Sequence, residues 1–243
     1  MKLQEKTIGE IVATNYRTAA VFKNHKIDFC CKGNRSLDEV CEEKKINKDS
    51  LLNELKTASA VKDNSSIDFK SWDMDLLADY IEKKHHRYVN ESIPALLQYL
   101  DKLCKVHGPQ HPELFEINKE FNECATALTA HMKKEELILF PFIRNLVKAT
   151  ITHQQLNTPH FGTLENPIHM MMHEHDIEGE RFRKIAQLSS DYSPPADACG
   201  TYKVTYSLLK EFEDDLHTHI HLENNILFPK AIGTESVLKT SAV

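Results

Sequence analysis

The sequence predicts an all-α protein: a small N-terminal helical domain followed by an up-down four-helix bundle. Three observations lead there. The 243-residue chain holds only seven Gly and nine Pro, while Leu, Glu, Lys and Ala, good helix formers, are plentiful. Beyond residue 72, apolar residues recur at helical spacing in four long segments. The segment His131-Met-Lys-Lys-Glu135-Glu-Leu-Ile-Leu-Phe-Pro141 also returns 88 residues later as His219-Ile-His-Leu-Glu223-Asn-Asn-Ile-Leu-Phe-Pro229, which suggests two related helix hairpins.

Residues 1–56 read as the small domain. Thr7-Ile-Gly-Glu10 and Ser36-Leu-Asp-Glu39 fit the capping box, in which side chains satisfy the unpaired N–H groups of a helix start. Ile8, Ile11, Val12, Tyr16, Ala19 and Ala20 share one face of a first helix, which should end near residues 25–33, where Gly33 lets the chain turn back. A second helix begins at Ser36 and a third near Asp49. Periodicity lapses over residues 57–71, placed as a linker. The bundle follows over 72–235 in segments of roughly 73–104, 112–147, 165–189 and 197–228, with a tail at 236–243. Pro94 should kink the first segment. Short breaks favour antiparallel neighbours, and the longer stretch 150–167 is placed to shield one end of the bundle.

Composition narrows the function. A net charge of −6 without a basic stripe argues against nucleic-acid binding. The start has no signal-peptide core, and no run approaches the roughly 18–20 apolar residues of a membrane span, so a cytoplasmic protein with no membrane partner is expected. Six scattered cysteines (30, 31, 41, 104, 124 and 199) read as reduced thiols.

The repeat carries the chemistry. Residues four apart on a helix share a face, so His131 with Glu135, and His219 with Glu223, can each reach one metal ion. If each half is a hairpin, its first helix should supply a ligand at matching distance upstream. His86 lies 45 residues before His131, and His175 lies 44 before His219. His85 rivals His86, and His173 rivals His175; spacing leaves both ties open. Four imidazoles and two carboxylates exceed a closed tetrahedral site and suit two ions bridged by both glutamates. Imidazole with carboxylate and no thiolate suits iron, with manganese as the alternative. Other pairs at the same spacing, such as His169 with His173 and His217 with His221, read as solvated surface; His217 and His221 point away from His219 and Glu223. A ferritin-like site needs Glu-x-x-His twice, and Glu82-Lys-Lys-His85 supplies it once.

These residues resemble the iron–sulfur cluster repair di-iron family, also called repair of iron centres proteins, which couples a hemerythrin-like bundle to a short Cys-Cys domain. The supporting segments are His85-His-Arg-Tyr…Pro94, the two repeats, Glu174-His-Asp176 and Ile27-Asp-Phe-Cys-Cys-Lys-Gly33. The resemblance implies ligands at His86, His131, Glu135, His175, His219 and Glu223, and so decides both ties. It implies two non-haem iron ions bridged by carboxylates and an oxo group, damaged iron–sulfur proteins as clients, and nitric oxide or oxygen as small ligands. Oxygen-carrying hemerythrins have an asymmetric ligand set richer in histidine, which this duplicated set does not match.

Adjacent cysteines are hard to join in a disulfide, so Cys30 and Cys31 read as a redox-active or metal-handling thiol pair, with Lys32 favouring thiolate. Glu174 beside His175 is a candidate gate for protons or ions. The implied function is repair of clusters damaged by oxidative or nitrosative stress. Two routes are open: iron passed on through Cys30 and Cys31, or nitric oxide reductase-type activity at the reduced irons. The competing class is a di-iron sensor of oxygen or nitric oxide without turnover. Oligomeric state, a homodimer included, is left open.

Overall fold

The computed structural model describes residues 5–60, 67–154 and 159–241, and among them helices account for all regular structure apart from one isolated bridge between Thr7 and Ser36. Two compact units emerge. One comprises Met1–Leu77, Leu146–Asn157 and Ile220–Val243; the other comprises Ala78–Asn145 and Thr158–His219.

In the first unit, helices α1 (Ile8–Thr14), α2 (Thr18–Asn24), α3 (Leu37–Lys44) and α4 (Lys48–Ala60) form the N-terminal module. Both expected capping boxes are present, at Thr7 with Glu10 and at Ser36 with Glu39. The single first helix expected over this stretch is instead two. Asn15 is extended, its side chain accepts from the Arg17 N–H, and its carbonyl accepts from the Thr18 N–H and hydroxyl. This local alternative to helical bonding breaks the run. The starts of α1 and α3 lie side by side, with the Ile8 and Gly9 N–H groups donating to the carbonyls of Arg35 and Gly33.

The same unit holds most of the last helical stretch. Lys230 donates to the carbonyls of Lys70 and Trp72, and Asn224 and Asn225 donate to carbonyls of the cysteine loop. Part of the expected linker is structured: α4 continues through Ala60, and Phe69–Ser71 forms a 3-10 turn with Phe69 buried. Its middle, 61–66, lies outside the described residues. The expected tail is helical through Ser241 within α11 (Phe228–Ser241), and 242–243 lie outside the described residues.

The remaining helices are divided between the units, with residues 78–145 and 158–219 in the second. α5 (Met74–Tyr80) passes through a π turn at Ile81–His86 into α6 (Arg87–His107), which runs past Pro94 without ending. α7 (Glu113–Lys134) continues through a second π turn at Glu135–Leu139 into α8 (Phe140–Thr152). α9 (Glu165–Leu188) follows, then α10 (Gly200–Leu222), a third π turn at Glu223–Leu227, and α11. Residues 155–158 of the expected long connection lie outside the described residues.

Four helices meet at one ring. Phe212 of α10 is fully buried, with its centroid 6.1 Å from Tyr88 of α6, 5.3 Å from Phe121 of α7 and 5.7 Å from Phe182 of α9. Aromatic rings bury large area and hold tilted or offset geometry, so this cluster sets the spacing of the four helices where they meet. The histidines lie along the same helices.

Candidate metal centre

Each of the six expected ligands (His86, His131, Glu135, His175, His219 and Glu223) is at most 2% exposed. A carboxylate removed from water needs a cation or a proton beside it. Two buried carboxylates at i+4 from buried imidazoles are therefore what a cation site requires of its protein.

Within the bundle unit the donors form two groups that share one residue. Ligand atoms of His86, Glu135 and His219 lie within 4.8 Å of one another, as do those of His131, Glu135 and His175. The His86 and His219 Nε2 atoms are 3.2 Å apart, and those of His131 and His175 are 3.0 Å apart. Two nitrogens each about 2.1 Å from one ion, at right angles, lie about 3 Å apart. Glu135 joins the groups, with Oε2 3.4 Å from His86 Nε2 and Oε1 3.4 Å from His131 Nε2. One carboxylate thus presents one oxygen to each histidine pair.

Carboxylates behind the rings orient them. His131 Nδ1 lies 2.7 Å from Glu174 Oε2, and His86 Nδ1 lies 3.1 Å from Glu136 Oε1. An Nδ1–H donated outward leaves the Nε2 lone pair facing inward, the usual arrangement for a ligating imidazole. Glu174 also accepts from Lys134. The hydrogen bond to His131, with Lys134 adding to it, holds the Glu174 carboxyl down to about 2. Sequence reasoning found Glu174 but missed Glu136, which follows the first repeat's glutamate and has no repeat counterpart.

The rival histidines are placed differently. His85 is buried but turned to Asp215, 3.0 Å from its Nδ1, while His86 meets His219. His173 is exposed, whereas His175 is buried against His131. His221 was expected at the surface, yet it is 1% exposed, packed between Tyr16 and Phe29, with Nδ1 3.0 Å from the Asn225 amide nitrogen. Burial pushes its pKa down to about 3, so the ring is neutral. The N-terminal module covers a helix face that periodicity alone assigns to solvent.

Among the described residues the three π turns fall at candidate ligand positions: one ends at His86, and the others start at Glu135 and Glu223. A π turn widens the helix by one residue, a feature common at functional sites. Beside His131 and His175 a cavity of about 200 Å³ opens between α7 and α9, lined also by Lys134, Glu174, Glu178 and Arg181.

In the other unit the cysteine pair sits in a loop pinned by Asp28. Its Oδ1 accepts from the N–H groups of Cys30, Cys31 and Lys32 at 3.1, 3.0 and 3.3 Å. The Sγ atoms are 3.7 Å apart, and neither cysteine is in a disulfide. Lys32 does not govern Cys30 as expected: the hydrogen bond with Cys31, burial and the charge of Asp28 together push that thiol well above its ordinary range. Cys199, read from the sequence only as a reduced thiol, has a distinct setting. It is exposed at the start of α10, where the Tyr202 N–H and His107, 3.2 Å away, bring its pKa down to about 7.

Residues 77–231 match the Hemerythrin HHE cation binding domain, and residues 4–59 match a Domain of Unknown function (DUF542). The iron-sulfur cluster repair protein ScdA of Staphylococcus epidermidis is 32% identical over 231 residues, covering 95% of this chain and 99% of that protein. ScdA of Staphylococcus haemolyticus is 31% identical over 95% of this chain and 99% of its own length, and YtfE of Yersinia pestis is 31% identical over 97% and 100%. No helix among the described residues is long and apolar enough to cross a membrane. The chain belongs to the hemerythrin HHE cation-binding family, and over nearly its whole length it is similar to these iron–sulfur cluster repair proteins.

Proposed function

We propose that this protein acts in the repair of iron–sulfur clusters damaged by oxidative or nitrosative stress, in the cytoplasm, through a site for two iron ions. His86 and His219 would hold one ion, His131 and His175 the other, and Glu135 and Glu223 would bridge them. The observation that carries this reading is Glu135, whose two oxygens each face a different histidine pair. Glu223 is its counterpart in the repeat, one turn beyond His219 on a continuous helical run and fully buried. Bound iron would supply one-electron chemistry and an open position for a small molecule such as nitric oxide.

The chain's own part is to orient and to exclude water. Glu174 and Glu136 fix the ring tautomers, and Phe140, stacked 5.6 Å from His86, keeps one side apolar. Iron donation is favoured over turnover alone by the third π turn. Its residues Asn224 and Asn225, directly after Glu223, hold the carbonyls of Phe29 and Cys30, so a change at Glu223 is felt at the cysteine loop. Damaged iron–sulfur proteins are the expected clients.

Anaerobic iron loading with metal analysis and Mössbauer spectroscopy tests the site. Two irons per chain are expected, with loss of the coupled pair in His131→Ala and Glu223→Ala while the helical content persists. Two irons retained in both variants would remove the assignment. Stopped-flow addition of nitric oxide to the reduced protein separates the functions: repeated nitrous oxide formation means an enzyme, a stable adduct means a sensor. Iron leaving to an apo-cluster acceptor, impaired in Cys30→Ala with Cys31→Ala at unchanged iron content, means donation.

A further inference from the structure

We propose that Asp28, Cys30 and Cys31 form a separate binding site for one thiophilic divalent cation, held by two thiolates and one carboxylate. A ligand atom from each lies within 4.8 Å of the others. The sulfur spacing is the sharper observation. Two sulfurs each about 2.3 Å from one tetrahedral ion lie about 3.8 Å apart, and here Sγ–Sγ is 3.7 Å. Cys30 Sγ is 3.4 Å from Asp28 Oδ1, also a spacing two ligands of one ion adopt. Little rearrangement is needed for the three atoms to converge.

The loop is built to hold that shape. The Asp28 carboxylate is tied to three successive backbone N–H groups, so its position follows that of the cysteines. The Cys30 carbonyl is gripped from the other side by Asn224 and Asn225, at 3.3 and 3.5 Å. Gly33 closes the loop through its carbonyl, 2.7 Å from the Gly9 nitrogen. Side chains fixed in this way lose little entropy on binding, which is the advantage of a preformed site.

Three protein donors leave one position of a tetrahedral ion open, which distinguishes exchangeable sites from closed structural ones. Cation binding displaces the thiol protons into solvent, two for two cysteines, with no change of oxidation state. The site therefore suits a cation in transit, such as ferrous iron, rather than a resident one. This deepens the donation reading above and depends on it only for the identity of the cargo; binding itself is tested apart from repair.

The probe is cobalt(II), added without oxygen to the reduced full-length chain already loaded with iron. Thiolate ligation gives an intense near-ultraviolet sulfur-to-cobalt absorption that histidine and carboxylate ligands cannot produce. One equivalent per chain is expected to develop this band. Cys30→Ser with Cys31→Ser should abolish it. Asp28→Asn, which keeps an oxygen to accept the three N–H groups, should weaken binding about ten-fold or more. No sulfur band in the unaltered chain, or a band unchanged in the double cysteine variant, overturns the site; unchanged affinity in Asp28→Asn overturns the three-donor set. The band should persist in His131→Ala, so failure of the bundle's metal assignment is read separately.

Discussion

Glu135 links the two halves of the donor set because its carboxylate is fully buried with an imidazole nitrogen 3.4 Å from each oxygen. Its neighbours show how finely the side chains are sorted. His85 and His86 are adjacent and both 1% exposed, yet one answers to Asp215 and the other to His219. Glu174 illustrates the next layer out. Its hydrogen bond to His131 Nδ1 sets which nitrogen carries the proton, and Lys134 balances its charge. Glu174→Gln keeps the size and an acceptor but removes the charge. Iron affinity measured by chelator competition should fall about 10–100-fold with helical content unchanged. Wild-type affinity in that variant would make Glu174 a surface ion pair and nothing more.

Among elements, the two repeats have the same backbone and different duties. Each begins a π turn at its glutamate. In the first, the next residue, Glu136, supports His86 at 3.1 Å, and Leu137 is exposed. In the second, Asn224 and Asn225 reach the cysteine loop. Divergence at two positions turns one copy toward His86 and the other toward the cysteine loop. The close fit around Asn225 makes a prediction. A Cβ on Gly9 would lie 2.1 Å from Asn225 Oδ1 and 3.2 Å from the Gly33 carbonyl. Helix propensity alone would make Gly9→Ala stabilising by about 1 kcal/mol. Overpacking typically costs about 1–3 kcal/mol, and Asn225 cannot swing away without releasing Phe29 and Cys30. A net loss of stability in urea unfolding is expected, and a gain would show that Asn225 is free to move.

At the scale of the molecule, four imidazoles and two carboxylates have been taken out of water. Their burial is costly without a cation, so metal and fold should be linked. A ligand present at about a thousand times its Kd stabilises by about 4 kcal/mol. For a chain of this size that corresponds to roughly 8–16 °C in Tm. Chelation of the iron-loaded protein should lower Tm by that order, and restoring iron should recover it. A Tm indifferent to iron would mean that the donor set is stable as it stands.

Much of this was legible in the sequence, for identifiable reasons. Helices depend on short-range periodicity and caps, so the four long segments and both capping boxes could be read directly. The buried imidazole–carboxylate pairs were legible because duplication displays the same i, i+4 geometry twice. What could not be read depends on what covers a given face. Asn15 breaks a helix through local hydrogen bonds that an apolar pattern does not register. His221 looks like surface until Tyr16 and Phe29, some 200 residues earlier in the chain, pack against it. Glu136 reaches His86 across 50 residues, and Asp28 has meaning only beside two sulfurs. Helical class and the repeat are written in spacing along one chain, and the family was legible as a resemblance carried by the motifs themselves. Which nitrogen meets which carboxylate, and how the cysteine loop is held, emerges only from the folded chain, because those contacts form between residues that no local pattern relates.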